Sequence, residues 1–204
     1  MSADAADATR AVKELPVNVS GVRATGWWGM AAFVLTDLTL FASLLSSYFY
    51  LASTATVWPP DGIAPDKIGL PIVGTILLVA SSWPIVMAER SIRRGSRGGL
   101  LLGLAIAWVL AAAFIALQIY GYTTKTFSPK TDVYGSLYFT ILTVHGIHVV
   151  IELLMVAVLF VQALLGAYSP RRFLAVQNVG LYWHFVGAVW IVIFTSLILY
   201  PHWA

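Results

Sequence analysis

The sequence predicts an all-α integral membrane protein, built as a bundle of five transmembrane helices. Of its 204 residues, 59% are hydrophobic and only 10% are charged, whereas soluble domains are about half apolar and a quarter charged. Long apolar segments, each near or above the roughly 20 residues that a membrane-spanning helix needs, alternate with short polar breaks. So few charged residues cannot cover a water-facing surface, and a soluble enzyme is therefore excluded.

Five segments satisfy this length, at about 26–52, 68–89, 99–122, 134–166 and 174–201. The first, fourth and fifth exceed the minimum, which predicts tilt or protrusion beyond the hydrocarbon layer. Turn residues mark the breaks, with a Pro-Pro-Asp-Gly run after Trp58, a glycine-rich stretch at 95–99 and a Ser-Pro pair at 169–170. Residues 26–204 form a single predicted domain. The polar residues 1–25, which lack the apolar core of a signal peptide, form a predicted cytoplasmic tail.

The distribution of basic residues predicts the orientation of the bundle. Nine Lys and Arg residues fall in the tail and in the second and fourth breaks, and three fall on the other side: Arg10, Lys13, Arg23, Arg90, Arg93, Arg94, Arg97, Arg171 and Arg172, against Lys67, Lys125 and Lys130. The positive-inside rule then places the N-terminus in the cytoplasm and the C-terminus outside. Tryptophans near the ends of the spans are predicted interface anchors: Trp27, Trp28, Trp58 and Trp203.

Residue types that are scarce or absent exclude several kinds of site. The chain has no cysteine, which excludes disulfides, zinc-thiolate sites and cysteine-ligated iron–sulfur clusters. Its four histidines are too few to ligate two haems and a copper ion, so we predict no haem or metal in this chain. The basic residues are spread over short loops rather than gathered on one face, so no nucleic-acid partner is expected.

Asp37 is an ionisable residue near the middle of the first span. A charge at that depth costs about 2.5–3.5 kcal/mol on insertion scales. The polar residues of this span form a separate stripe suited to close helix packing: Thr36, Thr39, Ser43, Ser46 and Tyr50. Asp37 lies off that stripe among apolar side chains, so either another helix supplies its partner or the carboxyl is protonated. An interhelical hydrogen bond, a proton relay and a lipid contact all fit this position.

The fourth span places His145, His148 and Glu152 on one helix face, with Tyr138 almost in line. These polar side chains should face protein or a water-filled cleft rather than lipid acyl chains. A metal site is the alternative, but the His-x-x-His-x-x-x-Glu order differs from the Glu-x-x-His of di-iron bundles. We therefore predict interhelical hydrogen bonds for these histidines. His184, in the fifth span, shares a face with Gln177 and Thr195 and is interpreted in the same way.

At these same residues the chain resembles subunit III of the haem–copper terminal oxidases, in the five-helix form that lacks two N-terminal helices. Four blocks in the family's order carry the resemblance: Trp28-Gly29-Met30 through Asp37 to Phe41; Leu117-Gln118 followed by Phe127 and Tyr134-Gly135-Ser136; His145-Gly146-Ile147-His148-Val149; and Tyr182-Trp183-His184-Phe185 with Val189-Trp190. Together they cover most of residues 27–200. One block alone would be weak evidence for the resemblance, but four blocks in register are strong evidence.

The resemblance implies a non-catalytic subunit without metal, with the haems and copper held by partner subunits I and II. Such a subunit packs on subunit I, holds phospholipid in a cleft between its helices and supports proton uptake and sustained turnover. The complex would reduce O2 to water and pump protons in a bacterial inner membrane, with electrons from cytochrome c or quinol. The carried-over positions are Asp37, where most members have Glu, and His145, His148 and His184.

Departures from the family pattern concern the buried acids. Asp37 is one methylene shorter than the usual Glu, the family's acid three residues after His184 is here Gly187, and an expected glycine is here Glu152. This paired loss and gain suggests the hypothesis that Glu152 and His184 face each other.

Two other functions remain as alternatives. One is an accessory or assembly protein related to subunit III, such as that associated with nitric-oxide reductase. The other is a small secondary transporter, although these show paired repeats and the sequence shows none.

Overall fold

A computed structural model describes residues 24–60, 63 and 68–203. The predicted cytoplasmic tail lies outside these residues except for its last two positions, and so do Lys67 and the C-terminal Ala204. The described chain is helical, with an isolated bridge between Ser169 and Arg172 and no strand among the residues that the structure describes.

Five long helices follow one another: α1 Thr25–Thr54, α2 Gly69–Arg93, α3 Arg97–Thr123, α4 Val133–Leu164 and α5 Leu174–Ile193. Beyond α5 the chain continues as a π-helical turn, Phe194–Leu199, and a 3-10 turn, Tyr200–His202. Each of the five is long and apolar enough to cross a membrane. The prediction of an all-α bundle with five such helices is confirmed. The ends of α1 to α4 lie within four residues of the predicted spans, and α5 together with the two turns that follow it ends at His202, one residue beyond the predicted end.

Helices α2 and α3 form a tight antiparallel pair. Gly95 in the turn between them has a φ of +78°, a left-handed conformation that glycine adopts without strain. The Ser96 side chain then caps α3 by accepting from the Gly99 amide at 3.3 Å. Further along, a Cβ on Gly103 would lie 2.6 Å from the Pro84 carbonyl oxygen. The two backbones can approach this closely only because position 103 has no side chain.

Helix α5 is the centre of the bundle and packs against α1, α2 and α4. Two tryptophans of α5 form hydrogen bonds to α2. The Trp183 indole donates to Ser81 Oγ at 3.0 Å, and the Trp190 indole donates to Thr75 Oγ1 at 2.9 Å. Buried polar groups at this depth need such partners because no water is present in the hydrocarbon region. The core of the protein therefore lies along the inward face of α5.

Helix α1 turns the face that carries Asp37 toward the bundle. Asp37, Phe41 and Tyr48 are buried on this face. The polar stripe that the sequence suggested for close packing is exposed in this chain: Thr36, Thr39, Ser43, Ser46 and Tyr50. Several of its hydroxyls donate to carbonyls of the preceding turn of α1, which satisfies them without a second helix.

Candidate functional site

Asp37 has interhelical partners on both α4 and α5. Its Oδ2 accepts a hydrogen bond from the Tyr182 hydroxyl at 3.2 Å and lies 3.6 Å from His148 Nε2. The side chains of Asp37 and His148 are each 12% exposed, so the pair is at the margin of the bundle rather than at its centre. Of the two alternatives for Asp37, the structure shows a partner supplied by other helices.

The two contacts of His148 constrain where a proton sits. Its Nδ1 lies 2.6 Å from the Val144 carbonyl oxygen, which can only accept, so Nδ1 carries a hydrogen. Nε2 lies 3.6 Å from Asp37 Oδ2, beyond hydrogen-bond distance, so the two groups form an ion pair only when the imidazole is charged. The contact joins α1 to α4.

His145 is fully buried and belongs to the packed core. Its Nε2 donates to the Val186 carbonyl oxygen at 3.2 Å, an interhelical bond from α4 to α5 of the predicted kind. The ring also packs against Trp190, with centroids 5.1 Å apart, and against the edge of Phe114. These contacts indicate a positioning role for His145 between the helices.

Glu152 is the most unusual buried group of the described chain. It is 1% exposed, and neither carboxylate oxygen has a hydrogen-bond partner among the described residues. Since an unpaired carboxylate in an apolar interior costs many kcal/mol, the group is expected to be protonated there. Tyr138, His145 and Glu152 are all buried on one face of α4, as the spacing predicted.

The hypothesis that Glu152 and His184 face each other is wrong. His184 is exposed, and the charged side chain with which it interacts electrostatically is that of Glu89 in α2. Residues two apart on a helix are separated by about 200°. Because Tyr182 and Val186 face the bundle, His184 points away from it.

The structure thus brings Asp37, His148 and Tyr182 into direct contact, places His145 and Glu152 nearby in the core, and leaves His184 outside. We call Asp37, His148 and Tyr182 the polar cluster. Tyr182 was not among the predicted site residues, although it is the first residue of the Tyr-Trp-His-Phe block. No group of three or more potential metal ligands occurs among the described residues.

The predicted interface tryptophans have different environments. Trp28 is 63% exposed and Trp203 is 80% exposed. Trp27 packs edge-on against Trp28. The Trp58 indole instead donates to the Tyr48 hydroxyl at 3.1 Å and contacts the Tyr134 ring. Trp58 therefore also closes one end of the bundle over α1 and α4.

Fold and site together define a multi-pass helical membrane protein in which Asp37 of α1 contacts ionisable side chains of α4 and α5. The family model described as cytochrome c oxidase subunit III matches residues 15–203, and the chain belongs to this family.

Named relatives agree with the family model. A cytochrome c oxidase subunit 3 of Mycosarcoma maydis is 33% identical over 83% of this chain and 64% of its own length. The cytochrome c oxidase subunit 3 of Synechocystis sp. (strain ATCC 27184 / PCC 6803 / Kazusa) is 31% identical over 84% of this chain and 74% of its own length. That of Thermostichus vulcanus is 28% identical over 83% of this chain and 84% of its own length. The chain thus spans about two thirds of the fungal protein that it matches.

Proposed function

We propose that this chain is the non-catalytic subunit III of a proton-pumping haem–copper terminal oxidase in a bacterial inner membrane. The observation that carries the proposal is the family match over residues 15–203, which includes all five helices. In the proposed complex, subunits I and II hold the haems and copper and reduce O2 to water. Electrons enter from cytochrome c or from quinol, and this chain takes no part in the electron transfer.

The proposed role of this chain is to support subunit I during turnover. In this proposal its contribution is structural, electrostatic or both. In the polar cluster, Asp37 Oδ2 lies 3.6 Å from His148 Nε2 and 3.2 Å from the Tyr182 hydroxyl. Such a group at the margin of the bundle is suited to exchanging protons near an uptake pathway in an adjacent subunit.

The proposed phospholipid site is beside the same cluster. Helix α1 packs mainly against α5 and contacts α4 less, and Asp37 and His148 retain partial exposure between α1 and α4. A lipid lying along this α1–α4 face would cover both side chains. The exposed polar stripe of α1 offers a neighbouring subunit a surface of small residues, which favours close helix packing in membranes.

The decisive experiment is gentle solubilisation of the native membrane followed by affinity purification of this chain. We expect stoichiometric recovery of a haem-bearing subunit I and a copper-bearing subunit II, with a haem absorption spectrum and oxygen consumption. A cytochrome c or quinol assay on the same sample identifies the electron donor.

Recovery of the chain without haem proteins would contradict the proposal. That result would instead support the accessory-protein alternative, which the named relatives do not favour.

A further inference from the structure

Two polar side chains, Trp83 of α2 and His184 of α5, are exposed on the outside of the bundle. Trp83 is 67% exposed, and His184 is exposed as described above. Neither the Trp83 indole nor the His184 imidazole has a hydrogen-bond partner among the described residues, although His184 interacts electrostatically with Glu89. Both side chains therefore have unused hydrogen-bonding groups.

Trp83 and His184 lie at about the same depth in the membrane. The end of α2 and the start of α5 are at the same side of the bundle, since Gln177 Nε2 donates to Glu89 Oε1 at 3.4 Å. Trp83 precedes the last residue of α2 by ten positions, and His184 follows the first residue of α5 by ten positions. Ten positions are about 15 Å of helix, so both side chains lie well within a hydrocarbon layer of about 30 Å.

The two side chains also belong to one surface of the bundle. Val186, two positions after His184, accepts from α4, and residues two apart are separated by about 200°, so His184 points away from α4. Ser81 and Ile85, two positions before and after Trp83, are buried, so Trp83 points outward by the same spacing. Helices α2 and α5 pack against each other. We call their shared outer surface the α2–α5 face; it comprises Val79, Trp83, His184 and Ala188.

Other tryptophans within the helices have acceptors inside the chain. The Trp108 indole donates to the Leu153 carbonyl oxygen at 3.1 Å, and Trp183 and Trp190 donate to α2. Trp83 differs from these three in having no acceptor among the described residues. A polar group that is left unpaired in hydrocarbon costs free energy, because no water is present to replace the partner. We therefore expect the acceptor to come from another molecule.

Lipid does not supply this acceptor. At mid-bilayer a phospholipid presents acyl chains, and its phosphate and ester oxygens lie near the interface, about 15 Å away. The Trp83 indole can only donate, and a neutral imidazole donates through one nitrogen and accepts through the other. A partner for both side chains therefore presents a hydrogen-bond acceptor at mid-bilayer, such as a carboxyl, hydroxyl or amide side chain. A second transmembrane helix can carry such a side chain to this depth.

The surface beside His184 allows a helix to approach closely. Gly187, one turn after His184, has no atom within 4 Å of its Cβ position, and Ala188 is exposed. Small residues let a second helix come near in membranes. The polar stripe of α1 differs, because several of its hydroxyls already donate within α1. Of the two surfaces, the α2–α5 face is the one whose polar side chains lack partners in the described chain.

From these observations we propose that the α2–α5 face binds a transmembrane helix of a neighbouring subunit, which is subunit I in the proposed complex. This helix carries hydrogen-bond acceptor side chains at the depth of Trp83 and His184. The inference rests on the proposed function, to which it adds the face of contact and the chemistry of the partner. Membership of the subunit III family implies a complex with other oxidase subunits, which favours a helix of another subunit over a second copy of this chain.

The test places the photoreactive residue p-benzoylphenylalanine at position 79 or at position 188 in the complex purified from the membrane. Irradiation is expected to cross-link both positions to subunit I, and the cross-linked peptide should contain a hydroxyl, amide or carboxyl side chain within one turn of the attachment site. The control position is Val109, which is 60% exposed on α3 and should not cross-link to protein. Products with the mass of two copies of this chain, cross-linking to lipid alone, or equal cross-linking from position 109 would each overturn the proposal.

Side-chain variants test the chemistry of the contact. Trp83→Phe keeps an aromatic ring and removes the N–H, and we expect it to lower the amount of this chain retained on subunit I after detergent washing about tenfold, the effect of one buried hydrogen bond. Its unfolding temperature should not change, because the N–H has no acceptor within the described chain. Trp28→Phe, at the exposed end of α1, is the matched control and should change neither quantity.

At His184 the two substitutions differ in hydrogen bonding. His184→Gln keeps a donor and an acceptor and should be retained better than His184→Leu. If subunit I copurifies with the wild type but Trp83→Phe and His184→Leu are retained equally well, the assigned face is wrong and the proposed function stands. If subunit I does not copurify with the wild type, the proposed function fails and this inference fails with it.

Discussion

Asp37 has the contacts that make it the central residue of the polar cluster. Its Oδ2 is the only atom of the cluster that contacts both other members, Tyr182 and His148. A group that joins three helices in an apolar medium has two separable properties, hydrogen bonding and proton binding. Substitutions that keep one property and remove the other can therefore distinguish a structural from a proton-handling role.

For Asp37 we expect Asp37→Asn to retain the subunit in the purified complex, because the amide oxygen still accepts from Tyr182. Asp37→Leu leaves the Tyr182 hydroxyl and the His148 ring without this partner, at a cost of about 1–3 kcal/mol. The measurement is the ratio of this chain to subunit I after detergent washing. If Asp37→Leu is retained as well as the wild type, the carboxyl is not a structural link, and its role is in proton or lipid contacts.

For Glu152 we expect replacement by leucine to stabilise the protein, in contrast to Asp37→Leu. Because its buried carboxyl has no partner in the described chain, Glu152→Leu removes an unsatisfied polar group, and we expect stability to rise by about 1–3 kcal/mol. Thermal unfolding in detergent measures this change. Glu89→Leu is the control, since Glu89 accepts from Arg93 at 2.5 Å and its loss should not stabilise. A lower unfolding temperature for Glu152→Leu would show that the carboxyl has a stabilising partner in the assembled complex.

At the scale of the helix, the α2–α3 pair depends on the absence of one side chain. Gly103→Ala would place a methyl group 2.6 Å from the Pro84 carbonyl oxygen and 2.8 Å from Ala88 Cβ. Backbone atoms cannot rotate away, so the helices must separate, at a cost of about 1–3 kcal/mol. Gly98→Ala is the matched control on α3, because nothing lies within 4 Å of its Cβ position. Unfolding temperatures that fall equally for both variants would contradict this reading of the α2–α3 contact.

The helices themselves could be predicted from the sequence, but the faces that they turn inward could not in every case. Length and hydropathy locate α1 to α5 because the bilayer imposes a minimum span. Heptad spacing also predicts correctly that Tyr138, His145 and Glu152 are buried together. The helix α5, however, is apolar over most of its length, and an apolar helix has no amphipathic signal that indicates its inward face. Tertiary packing placed Tyr182 inward and His184 outward, so the predicted partner of Glu152 was wrong.

The partner of Asp37 was unpredictable for a related reason. Sequence spacing relates residues within one helix, whereas Asp37 meets Tyr182 across 145 positions of the chain. Only the arrangement of α1 against α5 brings the two together. The interhelical hydrogen bond was one of several alternatives that the sequence left open, and the packing of the bundle provides it.

At the scale of the whole molecule, the predicted orientation can be tested directly because the chain contains no cysteine. Nine basic residues on the side of the α2–α3 and α4–α5 connections, against three on the other, predict that the α3–α4 connection lies on the outer side of the membrane. Single cysteines at exposed positions, Lys130→Cys in the α3–α4 connection and Ser169→Cys in the α4–α5 connection, report the two sides. In intact spheroplasts a membrane-impermeant maleimide should label Lys130→Cys at once and Ser169→Cys only after permeabilisation. The reverse pattern would show that the bundle is inverted.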